Sequence, residues 1–183
     1  AFSTICDPSG TVPAGYYNTW QGFAVSPNHH EPSLMIDHIE NVIADGNKEY
    51  GNYVKGWLAM AVQKPELPAG TALVLRGRQG TGKGVLGTTM IRIFGSSHSK
   101  HIEQAGHLVG RFQSHLENCL FLYADEAFFP GDPKIKGQLK SLITERFRTL
   151  EAKYRAPKMV QNHLSILMAS NEDFVVPADL EDR

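Results

Sequence analysis

The apolar positions of this chain change their period near Gly70. Ahead of it they recur three and four residues apart; beyond it they gather into short continuous runs separated by helical stripes. Ser33 is the expected cap of a helix running to Gly46, with Met35, Ile39, Val42 and Ile43 on one face. A second helix is expected over 48–62, with the stripe Tyr50, Tyr53, Val54, Trp57, Leu58 and Ala61, ended by Pro65 and Pro68. The stripes read as the core of a helical hairpin, with a role in subunit contacts as its functional reading. Residues 1–32 are rich in Gly, Pro, Ser and Asn and read as an extended arm anchored by Trp20 and Phe23.

Past Gly70, buried strands are expected at 71–75, 119–123 and 164–170. Helices are expected at 81–94, with Val85, Leu86, Met90, Ile91 and Phe94 inward and Gly95 closing it, and at 134–146, with Ile135, Leu139, Leu142 and Ile143 on one face. Residues 96–118 are mixed, with one short helix expected near 106–112. Residues 148–153 and 158–161 bracket a turn at 154–157 and predict a β-hairpin insertion before the last strand. Continuous apolar strands joined by helices imply an α/β fold with a parallel sheet flanked by helices. The chain thus divides into an arm (1–32), a small helical segment (33–68) and a nucleotide-binding domain (69–183).

Composition changes this picture little. The chain has 183 residues, is 42% hydrophobic and 20% charged, and carries a net charge of −1. No global basic field draws in nucleic acid, so any such contact is local or comes from assembly. Cys6 and Cys119 read as two thiols of a reducing compartment, not a disulfide. No apolar run approaches the length of a membrane span or a signal peptide, so no membrane partner is expected. The chain starts at Ala1 and stops at Arg183 in a polar stretch, and is expected to be a piece of a longer polypeptide. The eight His residues show no metal-ligand spacing with Cys.

The chemistry concentrates in residues 77–84, Gly-Arg-Gln-Gly-Thr-Gly-Lys-Gly, directly after an apolar strand. The spacing G-x-x-x-x-G-K between strand and helix is that of a phosphate-binding loop (P-loop). Gly77, Gln79, Gly80, Thr81, Gly82, Lys83, Gly84 and Val85 are the expected nucleotide contacts, with Lys83 reaching the outer phosphates of ATP. Gly84 stands where a Ser or Thr hydroxyl normally touches Mg²⁺; water can replace it. The strand 120–124 ends in Asp125 and Glu126, expected beside the loop: Asp125 for Mg²⁺, Glu126 for Mg²⁺ and as the base that polarises water. Asn171 tips the last strand, where its amide can orient water or touch the γ-phosphate. Lys153, Tyr154, Arg155 and Lys158 combine cations with an aromatic ring, a pattern suited to single-stranded DNA.

In order, these motifs resemble superfamily 3 helicases, a branch of the AAA+ ATPases, and within them the primase-helicase proteins of phages and viruses. The resemblance runs from about 50 to 183. It rests on Trp57-Leu58-Ala59, Val62-Gln63-Lys64-Pro65, the loop 77–84, Gly110-Arg111-Phe112, Ala124-Asp125-Glu126, Leu139-Lys140, Ile143-Thr144-Glu145, Leu150-Glu151-Ala152-Lys153, Asn171, Pro177 and Asp182-Arg183. It implies that Lys83 binds the β- and γ-phosphates, Asp125 the metal, and that Glu126 is the catalytic base and Asn171 the γ-phosphate sensor. It places Lys153, Tyr154 and Arg155 on a pore-lining hairpin and Arg183 where a neighbour's site receives an arginine. It further implies a homo-oligomeric ring such as a hexamer, a fused or partner primase or polymerase domain, and the cytoplasm of a bacterial host. The function expected is an ATP-dependent DNA helicase or translocase. Two other readings stand beside it: a non-hydrolysing nucleotide-binding assembly module, motivated by Gly84, and a P-loop kinase, which the Asp-Glu strand end and the lack of an Arg-rich lid fit less well.

Overall fold

In a computed structural model, residues 3–103, 114–125, 133–151, 154 and 156–171 are described, without the side chains of 133–136. The central sheet has four parallel strands: β3 (Leu73–Arg76), β4 (Ser99–Ile102), β5 (Phe121–Asp125) and β8 (Ser165–Ser170), in the order β3-β8-β5-β4. Alternation along β5 divides its side chains between two layers. Phe121 and Tyr123 pack with Leu167 and Ala169 against α2 (Lys48–Gln63) and α3 (Lys83–His98). Leu122 and Ala124 pack with Ile166 and Met168 against Leu139 and Leu142 of α4 (Pro133–Thr144). Both faces are therefore covered, as continuous apolar strands require. The strand β4 was not expected; only Ser99 and Ile102 of its four residues are buried, too weak a pattern to stand out.

Four helical expectations are corrected. The first helix is short, α1 (Ser33–Asp37), and continues as a π-helical turn over His38–Ile43, where Ala44 N–H bonds the Ile39 carbonyl. Pro32, not Ser33, caps α1, its carbonyl accepting from Met35 and Ile36. In α2, Tyr50 and Tyr53 are exposed, because Gly51 takes the contact with Ala44 and Glu40 while Val54, Trp57 and Ala61 face the core. Asn47 caps α2 by accepting from the N–H groups of Glu49 and Tyr50. Val85 is exposed too: it lies about 100° round the helix from the buried Leu86.

Gly95 leaves helical geometry (φ 73) inside α3, which resumes to His98. The break frees the Ile93 carbonyl to accept from Ala24 of the arm at 2.8 Å. The arm is more ordered than expected: β1 (Ser3–Ile5) and β2 (Tyr16–Asn18) form a parallel pair. Trp20 and Phe23 anchor it, against His98 and Phe94 respectively. His98 joins the two parts: its Nε2 accepts from Gln21 N–H (3.1 Å) and its Nδ1 donates to the Asn118 carbonyl (3.1 Å). Burial holds its pKa below the usual 6.5. Both cysteines are free thiols, with burial pushing Cys6 to about 11 and Cys119 to about 12.

The hairpin is present as β6 (Phe147–Leu150) antiparallel to β7 (Lys158–Gln161). Asn162 follows it and donates to the carbonyls of Leu142 (2.9 Å) and Glu145 (2.8 Å), closing the end of α4. Among the described residues no helix is long and apolar enough to cross a membrane.

Candidate functional site

The glycine-rich turn after β3 is shaped by backbone conformations that favour glycine. Gly80 and Gly82 lie at φ 79 and 83, in the left-handed region. Gly82 is the N-cap of α3. Thr81 Oγ1 closes the turn on the Arg78 carbonyl (2.8 Å). Gly77 N–H donates to the Ser170 carbonyl (3.2 Å), so the turn is tied at its start to the end of β8.

Lys83 is buried and points back into the turn. Its Nζ donates to the Gly77 carbonyl (2.6 Å), the Arg78 carbonyl (2.8 Å) and Asn171 Oδ1 (2.9 Å). Two expected site residues thus meet directly, 88 positions apart in the chain. A buried ammonium needs such donors' partners, since charge removed from water costs several kcal/mol if unpaired.

Asp125 reaches the same edge of the sheet by register. It pairs with Ala169 of β8, and Ala169 pairs with Leu75 of β3, so the three form one row at the carboxyl ends of their strands. Asp125 was expected beside the loop; β8 with Asn171 stands between them. At a strand spacing of about 5 Å, the backbones of Asp125 and Leu75 are roughly 10 Å apart. That span suits a polyphosphate and its ion lying over the tip of β8. Asp125 offers hard carboxylate oxygens of the kind Mg²⁺ takes.

Two histidines beside the site were not expected there from the sequence. His101 at the end of β4 stacks on Tyr123 (centroids 4.9 Å apart) and brings Nε2 to 3.9 Å from Asp125 Oδ2. His38 in the π turn lies against the loop, with Nε2 3.0 Å from the Gly82 carbonyl. The same turn supplies Val42 and Ile43 to a cavity of about 220 Å³, completed by Val74, Leu75, Arg76, Thr81 and Lys83. A signal for either His was lacking, because each acquires its neighbour from a different element.

The helix α3 sits low on the sheet because of Gly87, where a Cβ would stand under 3 Å from the Tyr123 ring. At Gly84 a Cβ would meet Tyr123 Oη at 3.4 Å, an ordinary contact.

Of the expected DNA-contacting residues, Tyr154 and Lys158 are described. Tyr154 projects fully exposed at the hairpin tip, with φ 63. Lys158 is engaged: its Nζ donates to Glu117 Oε1 (2.6 Å) and to the Thr4 carbonyl (3.1 Å). Glu126, Lys153, Arg155 and Arg183 lie outside the described residues, as does the helix expected near 106–112.

The fold and this edge define an α/β domain with a parallel central sheet flanked by helices, compatible with nucleotide binding. The chain belongs to a family of unknown function, DUF5906, matched over residues 75–183. It is 29% identical over 161 residues to the DNA primase-polymerase of Nitratiruptor phage NrS-1, covering 86% of this chain and 22% of that protein. The apo structure of the NrS-1 C-terminal region matches all of this chain with a TM-score of 0.81 at 25% identity, and this chain covers 46% of it. An A-form apo structure of the same region gives the same TM-score and identity, with 45% covered. The chain thus spans about a fifth of the phage protein and under half of that C-terminal region.

Proposed function

We propose that this chain is the ATPase motor of a phage-type DNA replication protein, a helicase or translocase of the AAA+, superfamily 3 kind. The observation that carries the reading is the meeting of Lys83 and Asn171 at the mouth of α3, with Asp125 at the same carboxyl edge of the sheet. The loop and the start of α3 would cradle the phosphates of ATP, and Lys83 would exchange loop carbonyls for the β- and γ-phosphates. Asp125 would hold Mg²⁺, which supplies charge neutralisation on the phosphates. Asn171 would register the γ-phosphate through the contact that Lys83 gives up, and Glu126 would polarise the water. Hydrolysis between subunits of a ring would move hairpins bearing Lys153, Tyr154 and Arg155 along single-stranded DNA, with Arg183 serving a neighbour's site. Lys158 would steady the hairpin base through Glu117 instead of meeting phosphate. The setting would be the cytoplasm of a bacterial host.

The test is ATP turnover by the full protein with and without single-stranded DNA. DNA should raise turnover several-fold, Lys153→Ala/Arg155→Ala should abolish that rise, and Glu126→Gln should keep ATP binding but lose turnover. Unchanged turnover in Glu126→Gln would overturn the reading.

Gly84 favours a second reading, a module that binds ATP to assemble without hydrolysing it, because the metal lacks a hydroxyl partner at that position. ATP-dependent oligomerisation with no turnover, with or without DNA, would support it.

A further inference from the structure

Within the phosphate-loop reading above, on which this inference rests, we infer that His38 is a positioning residue for nucleotide binding. It would hold the peptide between Gly82 and Lys83 in the orientation that aims the Lys83 N–H at phosphate. The contact is specific in chemistry and shape. A carbonyl oxygen only accepts, so Nε2, at 3.0 Å from the Gly82 carbonyl, carries the proton. The ring also fills the space left by the missing side chain of Gly82: a Cβ there would stand 2.5 Å from His38 Cε1.

The consequence follows from peptide geometry. The unit is planar and trans, so its C=O and N–H point in opposite directions. Gly82 sits at φ 83, a conformation with little intrinsic preference to hold one peptide orientation. With the carbonyl held toward the first turn of α3 by His38 and by Val85 N–H (3.0 Å), the Lys83 N–H points the opposite way, out of the N-terminal end of the helix. That N–H is among the opening groups of α3, which have no partner within the helix. Turning the peptide over would replace a donor by a carbonyl oxygen at the phosphate.

The element carrying His38 is suited to such a role. It is a π-helical turn, and Val42 and Ile43 of the same turn line the cavity next to Lys83. The helical segment ahead of the sheet is therefore a wall of the nucleotide site, in addition to any part it has in subunit contacts.

The test is ATP affinity by titration of the full protein, with unfolding temperature measured without nucleotide. His38→Leu keeps bulk but removes the donor and should weaken ATP about three- to tenfold, the range of one lost hydrogen bond. His38→Gln, which restores an N–H donor, should recover most of the loss, and the unfolding temperature of both should match wild type. Wild-type affinity in His38→Leu would overturn the inference, as would a loss that Gln fails to recover and that tracks thermal stability. Lys83→Ala measured alongside separates the two readings. If it abolishes binding while His38→Leu does nothing, only the His38 inference falls; if Lys83→Ala binds ATP normally, both fall. In the wild-type protein, nitrogen NMR of His38 should show a protonated Nε2, and a proton on Nδ1 alone would overturn the inference without any variant.

Discussion

Lys83 Nζ stands 2.9 Å from Asn171 Oδ1 and saturates its remaining donors on the loop carbonyls of Gly77 and Arg78. The cation of the candidate site is thus held by neutral oxygen acceptors, which an incoming anion can displace. Asn171→Asp would replace the neutral acceptor by a carboxylate that pairs with Lys83 and repels phosphate. ATP affinity should fall at least about tenfold in Asn171→Asp and less in Asn171→Ala. Titration of ATP at fixed Mg²⁺ reads this directly, and equal affinities in the two variants would contradict it.

Gly87 permits the close approach of α3 to the sheet. In Gly87→Ala the new methyl would lie under 3 Å from the Tyr123 ring, which is fully buried and unable to swing clear. The expected loss is about 1–3 kcal/mol, the usual cost of overpacking. A denaturant titration should show a lower midpoint at unchanged slope, and Tyr123→Leu in the same chain should recover part of it.

Gly84→Ser tests the metal shell. The space accepts a Cβ, with Tyr123 Oη at 3.4 Å as its nearest neighbour. On the motor reading, the added hydroxyl supplies the ligand the metal lacks, and half-saturating Mg²⁺ for turnover should fall about threefold or more. On the assembly-module reading, turnover stays absent in Gly84→Ser as in wild type.

His98 makes the arm's attachment sensitive to pH. Its Nε2 must be unprotonated to accept from Gln21, and burial lowers its pKa below 6.5. The unfolded chain then binds more protons than the folded one as pH falls below about 6.5, so stability is present above that value and is lost with acidification. His163, also pulled down by burial and bonded through Nδ1 to the Glu66 carbonyl (2.7 Å), acts in the same direction. The unfolding temperature should drop between pH 7.5 and 5.5, and His98→Gln should reduce the size of that drop. An unchanged drop would assign the sensitivity elsewhere.

Much of the fold was legible because burial writes itself into local pattern. The runs that became β3, β5 and β8 are apolar enough to demand cover on both faces, and the β6–β7 hairpin announced itself by two runs around Tyr154-Arg155-Ala156-Pro157. Where the pattern misled, a neighbour had overruled period. Tyr50 lies on the α2 stripe yet is exposed, since Gly51 brings that turn against Ala44 and Glu40. The π turn at His38 and the strand β4 left no local trace.

From the residues alone came the glycine-rich turn with Lys83, the acidic strand end at Asp125 and the amide at Asn171, because each motif combines residue types whose chemistry is local. Their order across the sheet was not readable from the chain. Asp125, Ala169 and Leu75 share a row only because β8 inserts between β3 and β5, and strand order is set by how helices pack over the whole sheet. The same reason hid His38 and His101. A single side chain carries no signal for a partner delivered from another element, and packing alone brought His38 to Gly82 and His101 to Asp125.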